Sequence, residues 1–121
     1  MQNFRRFEAA DPYGRTWQVE FRWQQNAISI RHSDSVDVKF QLIQDHDVTE
    51  KVVALKHPDL LSVSKKTGHA LSDSWAMKLA ALHLKEMIET DRDMEKILVN
   101  PSADDLERYS AKMEAQAPLR R

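Results

Sequence analysis

The densest run of side chains that could do chemistry is Asp45-His46-Asp47, an imidazole between two carboxylates. Such groups hold divalent metals or pass protons. In an extended chain, however, Asp45 and Asp47 would share one face and His46 would turn to the other. A metal would then need further ligands from His32, Asp34 or His57, and no familiar metal-site spacing joins these positions. The segment is expected to be a solvated turn.

His57-Pro58-Asp59 reads as a strand-to-helix turn, with Asp59 near a helix N-terminus where its charge is favoured. The imidazoles of His57, His69 and His83 are the remaining candidate bases. Catalysis asks for a base beside a nucleophile, and nothing in the sequence sets any of them beside a serine. A Gly-x-Ser-x-Gly elbow is absent. Lys65-Lys66-Thr67-Gly68 has the ending of a phosphate loop without its leading glycine. With only Gly14 and Gly68 in the chain, a glycine-rich nucleotide loop cannot be assembled. The lysines fit better as the last turn of a helix, facing the negative end of its dipole. No catalytic residue, cofactor-binding residue or metal ligand is therefore assigned.

Composition narrows the field further. The chain has no cysteine, which removes disulfides, thiolate nucleophiles and cysteine-ligated zinc or iron–sulfur centres. Its 18 basic and 19 acidic residues are interspersed, so no basic stripe exists to draw a phosphate backbone. Nucleic acid is not an expected partner. No apolar run approaches the ~20 residues of a membrane span, and the first residues lack the continuous apolar stretch of a signal peptide. The simplest reading is a soluble cytoplasmic protein of one domain over 1–121.

The elements that must position these groups follow from periodicity. Thr16 to Gln24 alternates without a break, so Trp17, Val19, Phe21 and Trp23 are expected on one buried face, with Glu20 and Arg22 in solvent. Asp11-Pro12-Tyr13-Gly14 suits a type I turn, which makes Phe4 to Glu8 the partner strand of a hairpin. Ile28 and Ile30, then Val36, Val38, Phe40 and Leu42, continue the period of two. Val52-Val53-Ala54-Leu55 is read as a further strand from its β-branched content. The fold class is thus α+β: a four- to five-stranded, mostly antiparallel meander over about 4–56, packed on C-terminal helices. The helices are placed at about 58–67, 73–90 and 103–116, followed by a loose tail at 117–121. Gly68 supplies a stop, Ser72 an N-cap, and Ser102 a cap-like start. Ile97-Leu98-Val99 is too short to assign.

The helix over 73–90 is the longest element. Ser74, Lys78, Lys85 and Glu89 gather in one narrow sector, and apolar side chains take most of the remaining circumference. Either the helix is central, with the sheet on one side and the flanking helices on the other, or its surplus face around Trp75, Leu79 and Leu82 contacts a second copy or another protein. His83 and Glu86 border the apolar sector and could supply a buried polar contact.

The functional reading is a small non-catalytic protein-interaction module, homodimeric or joined to another protein through Trp75, Leu79 and Leu82. The alternative is a small-molecule or enzymatic pocket between sheet and long helix, to which Trp17, Trp23 and Trp75 could lend aromatic walls. The third reading is a DNA-binding helix pair around Gly68. It rests on Lys65, Lys66, His69 and Lys78 clustering, because the second helix begins Asp73-Ser74-Trp75-Ala76-Met77, without the side chains that read base edges.

Overall fold

The computed structural model describes residues 3–27 and 35–116. Five strands, β1 (Arg6–Ala10), β2 (Thr16–Ala27), β3 (Ser35–Gln44), β4 (Asp47–Lys56) and β5 (Leu98–Val99), lie in the spatial order β1-β2-β3-β4-β5. The first four form an antiparallel meander, and β5 joins β4 in parallel. Between β4 and β5 run α1 (His57–Thr67) and α2 (Asp73–Thr90), and α3 (Ala103–Gln116) follows. The expected α+β meander is therefore present, although the first strand lies two residues later than expected. The expected strand residues Ile28 and Ile30 fall outside the described residues.

The first hairpin follows its turn chemistry. Gly14 N–H donates to Asp11 C=O at 3.1 Å, and Gly14 has φ 84°, a left-handed conformation that glycine adopts without a Cβ penalty. The Asp11 carboxylate receives the backbone N–H of Tyr13 and Arg15 (both 2.9 Å), Arg15 Nε (2.7 Å) and Trp17 Nε1 (3.1 Å). Burial works against its charge, but the hydrogen bonds from Trp17, Arg15 and Tyr13 outweigh it and hold its pKa at about 2.

One expectation about the sheet is corrected. Phe21 pairs with Phe40, yet Trp23 pairs with the next residue, Lys39, so Arg22 is an extra residue in β2. A bulge of this kind exchanges the two faces beyond it. Trp17, Val19 and Phe21 do turn to the core face, with Val19 fully buried and the two aromatics half-buried. Trp23 instead stands on the opposite face, 38% exposed, with Lys39 Nζ 5.6 Å from its ring. Gln24 takes the inward place and donates from Nε2 to Asp73 C=O at 3.1 Å. Glu20, expected in solvent, is half-buried by its 3.1 Å pair with Arg6.

The helices start and stop where their caps require. Gly68 ends α1 at φ 78°, its N–H donating to Ser64 C=O at 2.9 Å. Ser72 Oγ accepts Trp75 N–H at 3.1 Å. At α3, Asp105 N–H donates to Ser102 Oγ (3.1 Å) while Ser102 N–H donates to Asp105 Oδ2 (3.2 Å), a reciprocal box.

The broad apolar circumference of α2 is covered by the chain itself. It packs between the inner face of the sheet and α3, while α1 fills the corner between β4 and α3. Trp75, Leu79 and Leu82, offered above as a contact surface, are 5%, 0% and 5% exposed. A partner could reach them only by opening the core, so that surface is withdrawn as a docking site. No helix among the described residues is long and apolar enough to cross a membrane.

Candidate functional site

The largest cluster of titratable groups lies between α2 and α3. His83 is 1% exposed and its Nδ1 sits 2.8 Å from Tyr109 Oη. Tyr109 O–H donates to Glu86 Oε2 at 2.8 Å. Because that hydroxyl spends its proton on the carboxylate, Nδ1 must be the protonated nitrogen of a neutral imidazole, donating to the tyrosine oxygen. Arg108 engages both oxygens of Glu86 and reaches Asp105 Oδ1 at 2.7 Å. Arg92 Nη2 stands 3.4 Å from Asp105 Oδ2 and Nη1 3.6 Å from Glu86 Oε2.

Each shift has a cause. The hydrogen bond from Arg108 holds Glu86 below the usual carboxylate range. Burial pushes Asp105 up, but the hydrogen bonds of Ser102 and Arg108 and the charge of Arg92 bring it down overall. Burial, then the bond to Glu86, raises Tyr109. Burial lowers His83 to about 4 against the ordinary 6.5. A His–Tyr–Glu chain has the parts of a proton relay, but its members line none of the three clefts described below. What the arrangement does is fasten α3 to α2.

A second polar group is buried on the core face of β4. Lys51, 4% exposed, sends Nζ to the carbonyls of Met94 (2.7 Å) and Lys96. Burial lowers its pKa, with Glu95 and Asp93 acting the other way. The ammonium pins the 91–96 turn, and Val52 N–H then donates to Ile97 C=O at 2.8 Å, which sets β5 against β4.

Other positions singled out in the sequence are dispersed. Asp45 and His46 form an exposed two-residue loop closed by the Gln44–Asp47 pair, with Asp45 at φ 54°. No group of three or more His, Asp or Glu able to hold a metal occurs among the described residues; His32 and Asp34 lie outside them. His57 opens α1, and Asp59 sits in its first turn. Lys65 and Lys66 do occupy the last turn of α1. Lys66 pairs with Glu107 (3.3 Å), His69 with Glu114 (2.7 Å), and Lys78 Nζ lies 5.6 Å from the Phe4 ring. Lys66, His69 and Lys78 are thus engaged by three separate partners.

Two clefts do open between the sheet and the start of α2. One, of about 350 Å³, is lined by Arg5, Phe21, Trp23, Gln24, Gln25 and Asp73; the other, of about 170 Å³, by Val36, His57, Leu60, Leu71, Ser72, Asp73 and Ala76. The third, of about 460 Å³, runs along β1 and is lined by Arg6, Phe7, Glu8, Gln18 and Glu20.

The remaining feature is the sheet face turned away from the helices. One row across it reads Trp23, Lys39, Val52, Leu98, in successive cross-strand pairs. Ala54 and Val48 lie on the same face, and Val48 and Leu98 are 55% and 56% exposed. Ile97, 70% exposed, adjoins it at the β5 edge. Without the bulge at Arg22, Trp23 would not be on this face at all. No protein-family model matches the chain, and neither a curated protein nor a solved structure gives a significant match to it.

Proposed function

We propose that the chain is a non-catalytic protein-interaction module, acting in the cytoplasm, whose contact surface is the helix-free face of its sheet. The observation that carries this reading is the placement of Trp23, Val52 and Leu98 in one row on that face, with Val48 beside it and Ile97 at its edge. An antiparallel sheet that meets only water on its outer face is ordinarily polar there. Here aromatic and aliphatic side chains are interleaved with the Lys39–Glu50 ion pair and flanked by Arg6 and Glu20, a mixture of apolar and charged groups that suits a partner contact better than a face meeting only water. Three long strands at about 3.3 Å per residue and about 4.8 Å apart give a face of about 500 Å². That is somewhat less than the ~800 Å² each partner contributes to a standard interface.

The test uses surface charge. Val52→Glu, and separately Leu61→Glu on α1, where Leu61 is 47% exposed, are compared with the parent as affinity baits in extracts of the cells that make the protein. A specific partner should be retained by the parent and by Leu61→Glu and lost by Val52→Glu. The same proteins retained by all three folded baits would overturn the reading. The pocket alternative has its own readout: a ligand in the cleft beside Trp23 would change tryptophan fluorescence on addition of a small-molecule extract, and Leu61→Glu and Val52→Glu would respond alike.

A further inference from the structure

Among the described residues no strand pairs with the outer side of β1, and the backbone fixes which groups that edge presents. Phe21 N–H donates to Arg5 C=O at 2.7 Å, while Arg5 N–H goes to Asn3 Oδ1 at 3.0 Å, so in the β1–β2 register the Arg5 carbonyl and the backbone groups of Phe7 and Ala9 are directed at β2. The alternation of an antiparallel ladder then turns those of Arg6, Glu8 and Ala10 outward. Arg6 N–H is taken up locally by Asn3 Oδ1 at 3.1 Å, the oxygen that also accepts Arg5 N–H. Such an edge is a template for another strand.

The side chains say which strand would fit. Arg6 and Glu8 are both exposed, lie on the same helix-free face, and line the cleft along β1, the largest of the three. Among the described residues Glu8 makes no ion pair, and Arg6 makes a single one, to Glu20. Three antiparallel self-pairings centred within Arg6–Glu8 keep Arg6 and Glu8 in the hydrogen-bonding phase. Those centred on Arg6 and on Glu8 set a charge against its own copy, which is unfavourable. The one centred on Phe7 sets Arg6 opposite Glu8 twice over.

We propose that a second copy of this chain docks on β1 in the register centred on Phe7, each Arg6 facing the Glu8 of the other copy. Four backbone hydrogen bonds form, from Arg6 and Glu8 of each copy, with Asn3 releasing the Arg6 N–H. The half-buried Phe7 meets its counterpart on the two-fold axis as a non-hydrogen-bonded pair, the closer of the two pair types. Such an isologous contact closes on itself and leaves no further β1 edge exposed. It goes beyond the reading of the sheet face as a contact surface, because it joins two such faces into one continuous sheet and so doubles the area offered to a partner.

Sedimentation equilibrium of the full chain from micromolar to several hundred micromolar provides the test. The parent should approach twice its 14.1 kDa mass. Arg6→Glu alone and Glu8→Arg alone should each weaken self-association about tenfold or more. The double reversal, Arg6→Glu with Glu8→Arg, should restore it, and so should mixing the two single variants. Both positions are exposed, so the fold should survive, which circular dichroism checks. Hydrogen exchange adds a second readout, with the Glu8 amide protected in the parent and fast in Arg6→Glu. A parent monomeric throughout the range overturns the proposal, as does a dimer indifferent to these reversals. Val52→Glu should leave the mass unchanged, so loss of the dimer and loss of a face-bound partner are separate results.

Discussion

Replacing Phe40 by Ala should destabilise the protein by about 3–5 kcal/mol, while replacing the larger Trp23 should cost about 1 kcal/mol or less. Phe40 is 0% exposed at the centre of the sheet's core face, and its ring meets Phe21 edge-on at 6.0 Å and 75°. Its removal forfeits burial, an aromatic pair and the packing around the void, because α2 and the flanking strands cannot collapse into the space. Trp23 has only its outer-face neighbours and the Lys39 ammonium to lose. Denaturant unfolding of the two variants reads the difference directly. Equal losses would mean that Trp23 is inside and that the bulge at Arg22 does not exist.

The protein should also lose stability as the pH falls from 6.5 to 4, through His83. Its folded pKa of about 4 lies below the ordinary 6.5 because the imidazole is buried. In that window the unfolded chain binds the proton and the folded chain does not, so stability is full above 6.5 and declines toward 4. The decline amounts to about 3 kcal/mol. Glu86 and Asp105, whose folded values are depressed, act lower: their contribution is lost only below the ordinary carboxylate values. Urea unfolding at intervals across the range should show this slope in the parent and a flattened one in His83→Gln. NMR titration of the His83 ring in the parent should give a midpoint near 4. A midpoint near 6.5 would contradict the buried, neutral assignment.

Much of the architecture was legible because local chemistry and global fold agree in these segments. Asp11-Pro12-Tyr13-Gly14 fits its turn, Gly68 ends α1, and Ser72 caps α2 where its side chain predicts. The alternation of β3 through Val36, Val38, Phe40 and Leu42 maps onto the core face without exception. Trp23 failed because a bulge leaves the apolar-polar rhythm of the sequence intact while reversing its meaning in space. The burial of Lys51 was not legible for a different reason. A lysine in a strand reads as a solvent residue, and its carbonyl partners at Met94 and Lys96 come from a turn more than forty residues away. The two-residue β5 has no periodicity of its own, and its position depends on that turn.

The surplus apolar face of α2 shows the limit of single-helix reasoning. Hydrophobic width states how much surface must be covered and not which part of the chain covers it. Here the sheet and α3 do so, with Leu106 and Tyr109 of α3 both 0% exposed. His83 and Glu86 stood out as border residues on the helical wheel. That they meet Tyr109 and Arg108 is a tertiary fact, set by how α3 lies along α2.

The claim that the helix-free sheet face is the contact surface is most directly tested by photo-cross-linking from the face itself. A photoreactive phenylalanine analogue is introduced at position 52, or at position 61 on α1 as the reference, and the folded protein is irradiated in the cells that make it. The account predicts discrete adducts from position 52, sharply reduced when Lys39→Glu reverses the charge paired beside it, and none of the same adducts from position 61. No adduct from position 52, or the same adducts from both positions, would contradict it.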